Sequence, residues 1–346
     1  MDNRFAEMVR AIRLLLEDEF EVDTGGGALG GVRPHDNVLI LCSTDNYPPL
    51  VEAYFSAVTS LGADPLLLRY NARPPLKGLP DAIVEAASQA DVVIDLSLKT
   101  WVYTESHERF LSQLKARGGR QTIGSAFGWE EDVYHLITLA PDPEIKERSR
   151  LAREFIDKAQ TIRLTSSIGT DLVVQRGDPA EHVSYAPAGQ AAFAPPDDGV
   201  DGVIYYQGGF RIQFPNVIRQ MVYEPIRMEV SKGKLVNIAR DTEIGIMLDD
   251  WFRSHNDPNS YQFAHMNLGL DHRIQLHRLD SLAVHFNCGA TLVAFGTNFT
   301  PLFGTGVRAN SHIDMNYTGG DYWVDDLCLV REGELTAESG LRGPFA

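Results

Sequence analysis

Val38-Leu39-Ile40-Leu41-Cys42 is an unbroken apolar run, the pattern of a strand covered on both faces, as in a parallel sheet with helices above and below it. The residues downstream repeat the theme. Pro48-Pro49 opens a stretch with apolar residues at Val51, Tyr54, Phe55, Val58 and Leu61 that closes at Gly62, which reads as a helix with proline in its first turn and glycine past its end. Pro65 to Arg69, Asp91 to Leu96 and Gln121 to Ser125 read as three further strands, and Ala82 to Gln89 and Ser106 to Leu114 as the helices between them. Strands and helices alternating at this spacing predict a doubly wound, mostly parallel α/β sheet.

Upstream, Phe5, Met8, Val9, Ile12, Leu15 and Leu16 recur at spacings of three and four, which predicts an amphipathic helix over Arg4 to Phe20. The glycine-rich run Gly25 to Gly31 precedes the first strand and lacks a Gly-Lys-Ser/Thr ending, so it fits no phosphate loop and reads as a connector. No Gly-x-Gly-x-x-Gly follows the first strand, and no dinucleotide is inferred. Ligands of such sheets sit beyond the carboxyl ends of the strands, which directs attention to the loops Ser43 to Tyr47 and Lys99 to Ser106.

Pro141 to Gln160 is a charged helical pattern with a buried stripe at Ile145, Leu151, Phe155 and Ile156, and after it the periodicity changes. Thr161 to Thr165 and Asp171 to Gln175 flank Ser166 to Thr170 as a hairpin. Arg227 to Ser231 and Leu235 to Ile238 flank Lys232-Gly233-Lys234 in the same way. Tyr322 to Arg331 with its return past Gly333 reads alike, and Thr242 to Phe252 is one clear helix. The chain therefore divides into residues 1–160, a Rossmann-like α/β domain, and residues 161–346, an α+β domain rich in antiparallel strands. Gly177 to Pro196, with His182, Tyr185 and no clear period, reads as a substrate-covering loop.

Length and composition agree with two soluble globular domains. The 346 residues are too many for one small core, and 44% hydrophobic with 23% charged residues is ordinary. A formal net charge of -16 repels phosphate backbones and anionic lipid, so neither nucleic acid nor a membrane is an expected partner. No apolar run is long enough to span a bilayer, and Met1-Asp2-Asn3-Arg4-Phe5 begins no signal peptide, so a cytoplasmic protein is expected. Cys42, Cys288 and Cys328 form no C-x-x-C pair and read as reduced, buried residues.

The chemistry points to Asn310-Ser311-His312-Ile313-Asp314-Met315-Asn316-Tyr317. In a strand, His312 and Asp314 project from the same face. A second histidine would complete a 2-His-1-carboxylate set of the kind that holds Fe(II) with positions left open. His265, in Tyr261 to Leu270, is the strongest candidate for it. The same pair also reads as a histidine and an aspartate bonding their strand neighbours, and spacing alone does not separate the two.

The elements His265-Met266-Asn267-Leu268-Gly269-Leu270, Gly296-Thr297-Asn298, Ser311-His312-Ile313-Asp314 and Val324-Asp325-Asp326, in that order, resemble those of the 2,5-dihydroxypyridine 5,6-dioxygenases, with a fold related to the aminopeptidase T type of metallopeptidases. The resemblance runs from about Val38 to the C-terminus. It implies His265, His312 and Asp314 as ligands of one Fe(II), with a hydroxylated N-heterocycle and O₂ as substrates. Both oxygen atoms would be inserted and the ring opened to an N-formylmaleamate-type product. The peptidase branch is expected to carry a glutamate near His265, and histidine there favours a single metal over a dinuclear hydrolase. Near Tyr103 and Tyr185 the dioxygenases carry histidines that work on the substrate, so Tyr185, His182 and Tyr103 are the candidate acid/base residues. His272, His277 and His285 could orient the ligands or be ordinary histidines. A homo-oligomer is expected. The alternative reading is a metal-dependent hydrolase, which would gain if Glu224 or Glu229 reached the metal.

Overall fold

The computed structural model describes residues 3–17, 31–44, 46–71, 78–96, 104–123, 142–182, 184–185, 189–214, 218–274, 282–298 and 306–342. They fall into two compact units, Met1–Asp142 and Pro143–Ala346. The first unit is built on β1 (Asn37–Ser43), β2 (Asp64–Tyr70), β3 (Val92–Asp95) and β4 (Arg120–Ile123), all parallel in the order β2-β1-β3-β4. Alternation along β1 splits its apolar run between two cores. Val38, Ile40 and Cys42 pack with the helices Asn3–Glu17 and Pro48–Ser60, whereas Leu39 and Leu41 pack with Asp81–Ser88 and Glu105–Ala116. The strand is apolar throughout because both faces are covered, and the doubly wound fold is as the sequence predicts. At the carboxyl end of β1, Asn46 accepts the Ser43 N–H (2.6 Å) and donates to the Leu96 carbonyl (2.9 Å), closing that loop onto the end of β3.

The helix Pro143–Lys158 belongs to the second unit. Its Ala152 and Ile156 are part of that unit's core, so the contacts divide the chain ahead of this helix rather than after it. The second unit then runs through β5 (Thr161–Thr165), β6 (Asp171–Gln175), β7 (Ser184–Tyr185), β8 (Gln190–Phe193), β9 (Val200–Phe214), β10 (Ile218–Ser231), β11 (Lys234–Ile238), β12 (Phe263–Gly269), β13 (Thr291–Gly296), β14 (His312–Tyr317), β15 (Asp321–Val324), β16 (Leu327–Arg331) and β17 (Glu334–Leu335). They form one large sheet with the path β17-β16-β15-β5-β6-β9-β14-β13-β12-β8-β7, and β10 and β11 extend from β9. All of these pairings are antiparallel. The helix Glu243–Ser254, capped by the Thr242 side chain on the Gly245 N–H, buries Leu248 and Phe252 in the same core. No helix of the described residues is long and apolar enough to cross a membrane.

Two stretches differ from the sequence reading. Tyr322 to Arg331 is not one strand but two, because Asp325 adopts φ 49° and its carboxylate takes the backbone N–H groups of Gln160 and Thr161. Within Gly177 to Pro196, Gln190–Phe193 is a strand hydrogen-bonded to β12 rather than a loop. It shows no alternation because all four residues are buried, which removes the period that marks a half-exposed strand.

Candidate metal centre

Four neighbouring strands place the site. Across β9, β14, β13 and β12, Arg211 stands opposite Asp314, Asp314 opposite Ala294, and Ala294 opposite His265. Directly paired residues of antiparallel strands share a face, so this row crosses one side of the sheet. The other side is the main core, with Phe210, Ile212, Ile313, Met315, Val293, Phe295, Phe263 and Met266. His312 joins the row's face two residues before Asp314. Strands β12, β13 and β14 are buried throughout, so the polar face is covered as well.

His265 reaches this face only through a β-bulge. Phe263 pairs with Phe295 and His265 with Ala294, two steps on β12 for one on β13. Without the extra residue, alternation would aim His265 to the same side as Phe263, into the core. The bulge turns it over. Ala264 and Ala294 pack together with Leu292 in a small cluster of their own, and the methyl of Ala294, between Asp314 and His265, leaves room for the two longer side chains to converge.

The donor atoms then meet. His312 Nε2 lies 3.2 Å from Asp314 Oδ1, His265 Nε2 lies 3.5 Å from the same oxygen, and the two Nε2 atoms are 3.4 Å apart. Among the described residues this is the one group of three or more His, Cys, Asp and Glu side chains whose donors close on one another. All three are buried, with exposures of 6%, 0% and 1% for His265, His312 and Asp314.

Outer partners orient the imidazoles. His265 Nδ1 donates to Asn267 Oδ1 (2.9 Å), whose amide nitrogen in turn donates to Gln190 Oε1 (3.3 Å). His312 Nδ1 donates to the Thr297 carbonyl (2.7 Å). With the proton on Nδ1, neutral imidazole turns the Nε2 lone pair inward. Two Nε2 atoms and a carboxylate oxygen converge within 3.5 Å of one another. A cation satisfies that arrangement, and the Nδ1 hydrogen bonds are of the kind that orient metal-bound histidines.

The charges fit the same reading. Burial pushes the His265 imidazole down to about 4, against the opposing pull of Asp314, so it is neutral at pH 7. Burial alone would raise the Asp314 carboxyl, but His312, and behind it His285 and His265, hold it well below the ordinary carboxylate range. A neutral buried imidazole makes the metal-free fold sensitive to acid. The unfolded chain takes up a proton at His265 near its ordinary 6.5 and the folded chain only near 4, so stability is complete above 6.5 and falls as the pH drops between the two. The slope approaches about 1.4 kcal/mol per pH unit where the proton difference is full. The metal-free protein is therefore expected to melt lower at pH 5 than at pH 7.5, and an unchanged melting temperature would contradict a neutral His265.

The other sequence candidates fall elsewhere. Tyr103 and His277 lie outside the described residues. Tyr185 is on the edge strand β7, paired with Ala192, which pairs in turn with Asn267, so the register puts it in the row next to that of His265. His182 sits beside Gly177 and Pro196, since a side chain at Gly177 would meet its ring at 2.6 Å and Pro196 at 2.8 Å, and its carbonyl is held by Arg176. Glu224 is exposed, and Glu229 pairs with Arg227 and Asn237. Neither joins the three donors, so the hydrolase alternative gains no ligand from β10. His272 Nδ1 faces Arg148 (3.1 Å). The orienting Asn267 and Thr297 sit inside the quoted motifs, and the signal for Asn267 was its place two residues after His265 on a strand.

The model of the family described as 2,5-dihydroxypyridine 5,6-dioxygenase matches residues 27–337. A 2,5-dihydroxypyridine 5,6-dioxygenase of Pseudomonas putida KT2440 is 24% identical over 270 residues, 73% of this chain and 74% of its own. The solved structure of 2,5-dihydroxypyridine dioxygenase from the same organism superposes with a TM-score of 0.73 at 20% identity, covering 96% of this chain and 98% of the other. Wild-type AmpT of Thermus thermophilus shares the fold with a TM-score of 0.63 at 14% identity, over 96% and 99% of the two chains. The family match takes in most of the chain and all three converging donors, and the chain belongs to the 2,5-dihydroxypyridine 5,6-dioxygenase family, as an enzyme of the ring-cleaving dioxygenase class.

Proposed function

We propose that this enzyme opens the ring of a hydroxylated pyridine, 2,5-dihydroxypyridine or a close analogue, to an N-formylmaleamate-type product, with one Fe(II) held by His265, His312 and Asp314. The observation that carries the reading is the convergence of two imidazole nitrogens and one carboxylate oxygen in a buried site of a chain from this family. That donor set suits Fe(II) with open positions. When bound, the iron supplies a Lewis acid and a redox couple that let the electron-rich ring and O₂ react side by side.

The protein's part is positional and electrostatic. Asn267 and Thr297 fix the tautomer and direction of the two imidazoles. Asp314 supplies the one negative charge among the three donors, so a divalent ion keeps a net charge near +1 and attracts a hydroxypyridine anion. Burial of the whole row excludes water and strengthens that attraction. Ring opening also needs a proton donor, and Tyr185 is the first candidate, with Tyr103 and His182 behind it. A phenol near its ordinary pKa of about 10 gives up a proton at neutral pH rather than taking one. Tyr185→Phe is expected to lower turnover roughly tenfold or more with iron content unchanged, and unaltered kinetics would make Tyr185 a packing residue.

The test of the function is anaerobic purification with metal analysis, then oxygen uptake over a panel of hydroxypyridines. One iron per chain and uptake of one O₂ per ring opened are expected. Hydrolysis of aminoacyl substrates without oxygen uptake on any hydroxylated heterocycle would overturn it.

A further inference from the structure

A third imidazole lies within electrostatic reach of this site. The short turn Leu282–His285 is fastened to the end of β12 by two devices. The Phe286 carbonyl accepts the N–H groups of both Leu270 (3.0 Å) and Asp271 (2.7 Å). At Gly269 a side chain would meet the Asn287 carbonyl oxygen at 2.1 Å, so only glycine lets the two backbones close. His285 is the residue just before this anchor. Asp314, Arg211 and His312 lie within electrostatic reach of its ring, and it reaches His265 in turn.

His285 is nevertheless outside the group of three converging donors. Its Nε2 is shut off from water and, among the described residues, has no hydrogen-bond partner. A buried polar atom left in that state is costly, and such atoms are few in native proteins. A bound ligand that completes the hydrogen bond accounts for the cost. Burial disfavours the charged form of the ring. A hydroxyl group, which can donate or accept, pairs with it in either tautomer.

We infer that His285 is the substrate-recognition residue of this enzyme, its Nε2 making a hydrogen bond to a ring hydroxyl of the hydroxylated N-heterocycle that lies beside His265, His312 and Asp314. The inference rests on the dioxygenase reading. It assigns His285 to specificity, because a pocket built to bond a hydroxyl discriminates against the ring that lacks it.

The probes are 3-hydroxypyridine and pyridine, titrated calorimetrically without oxygen into the iron-loaded protein, with metal content measured alongside. In His285→Phe, which fills the space but removes the nitrogen, affinity for 3-hydroxypyridine should fall about 10-fold to 100-fold, with pyridine affinity and iron content unchanged. His285→Gln keeps a group that donates and accepts, and should retain the preference for the hydroxylated ring within about fivefold. Equal losses for both probes, no loss for either, or loss of iron in His285→Phe would overturn the assignment. If His285→Phe does not fold, a His285→Gln protein that binds the two probes equally overturns it too. A wild-type protein that consumes oxygen with hydroxypyridines while His285→Phe binds normally would sink the recognition role alone, whereas a wild type that neither binds hydroxypyridine nor takes up oxygen sinks the function with it.

Discussion

Asp314→Asn is expected to give a folded protein that keeps less than a thousandth of the wild-type metal affinity and no measurable oxygen uptake. The substitution keeps shape and removes only the charge. Asp314 Oδ1 is the atom on which both imidazole nitrogens converge, at 3.2 and 3.5 Å, and it is the one anion of the three donors. Its loss leaves a divalent ion in a buried site with neutral ligands alone. At an effective dielectric of about 20, a double positive charge in contact with a carboxylate is worth several kcal/mol, and every 1.4 kcal/mol is about a factor of ten in affinity. Metal analysis after gel filtration, with circular dichroism to confirm the fold, decides the matter. A variant that retains one iron per chain would show that these residues are not the metal centre.

His265→Glu is expected to separate metal binding from turnover. A carboxylate in place of His265 still offers an oxygen donor, so iron should be retained. The donor set then carries two negative charges, and the attraction for a substrate anion drops by a few kcal/mol in a buried site. Oxygen uptake should fall by two or more orders of magnitude with no peptide hydrolysis appearing, because neither Glu224 nor Glu229 joins the three donors. In the metal-free form the introduced carboxylate and Asp314 would be buried side by side, and one of them would keep its proton. Peptide hydrolysis gained by the variant would argue that the site is one ligand away from a hydrolase.

The two variants read different properties of the same three donors. Asp314→Asn tests whether the charge balance holds a cation. His265→Glu tests whether the neutral imidazole sets the reaction. Loss of both iron and activity in each would point to a site that tolerates no change of donor, and the roles assigned to Asp314 and His265 would then not be separable.

Residues close in sequence determined much of this protein without help from distant ones. The apolar run Val38 to Cys42 demanded cover on both faces and received it from helices on either side. The two-residue period of a strand put His312 and Asp314 on one face, which is where they stand. Local pattern sufficed in both cases because each conclusion depends only on strand geometry. The rest waited on long-range pairing. Simple alternation sends His265 to the side of Phe263, and only the bulge against β13, opposite the small Ala294, returns it to Asp314. Gln190 to Phe193 carries no alternating period because strand and neighbours bury it on both sides. His285, among several histidines after His265, had no distinguishing spacing, and its position is set by the Phe286 carbonyl and the bare Gly269, which fasten its turn to β12. A bulge, a pairing partner and an anchored turn are properties of two chain segments together, so neither segment's sequence states them alone.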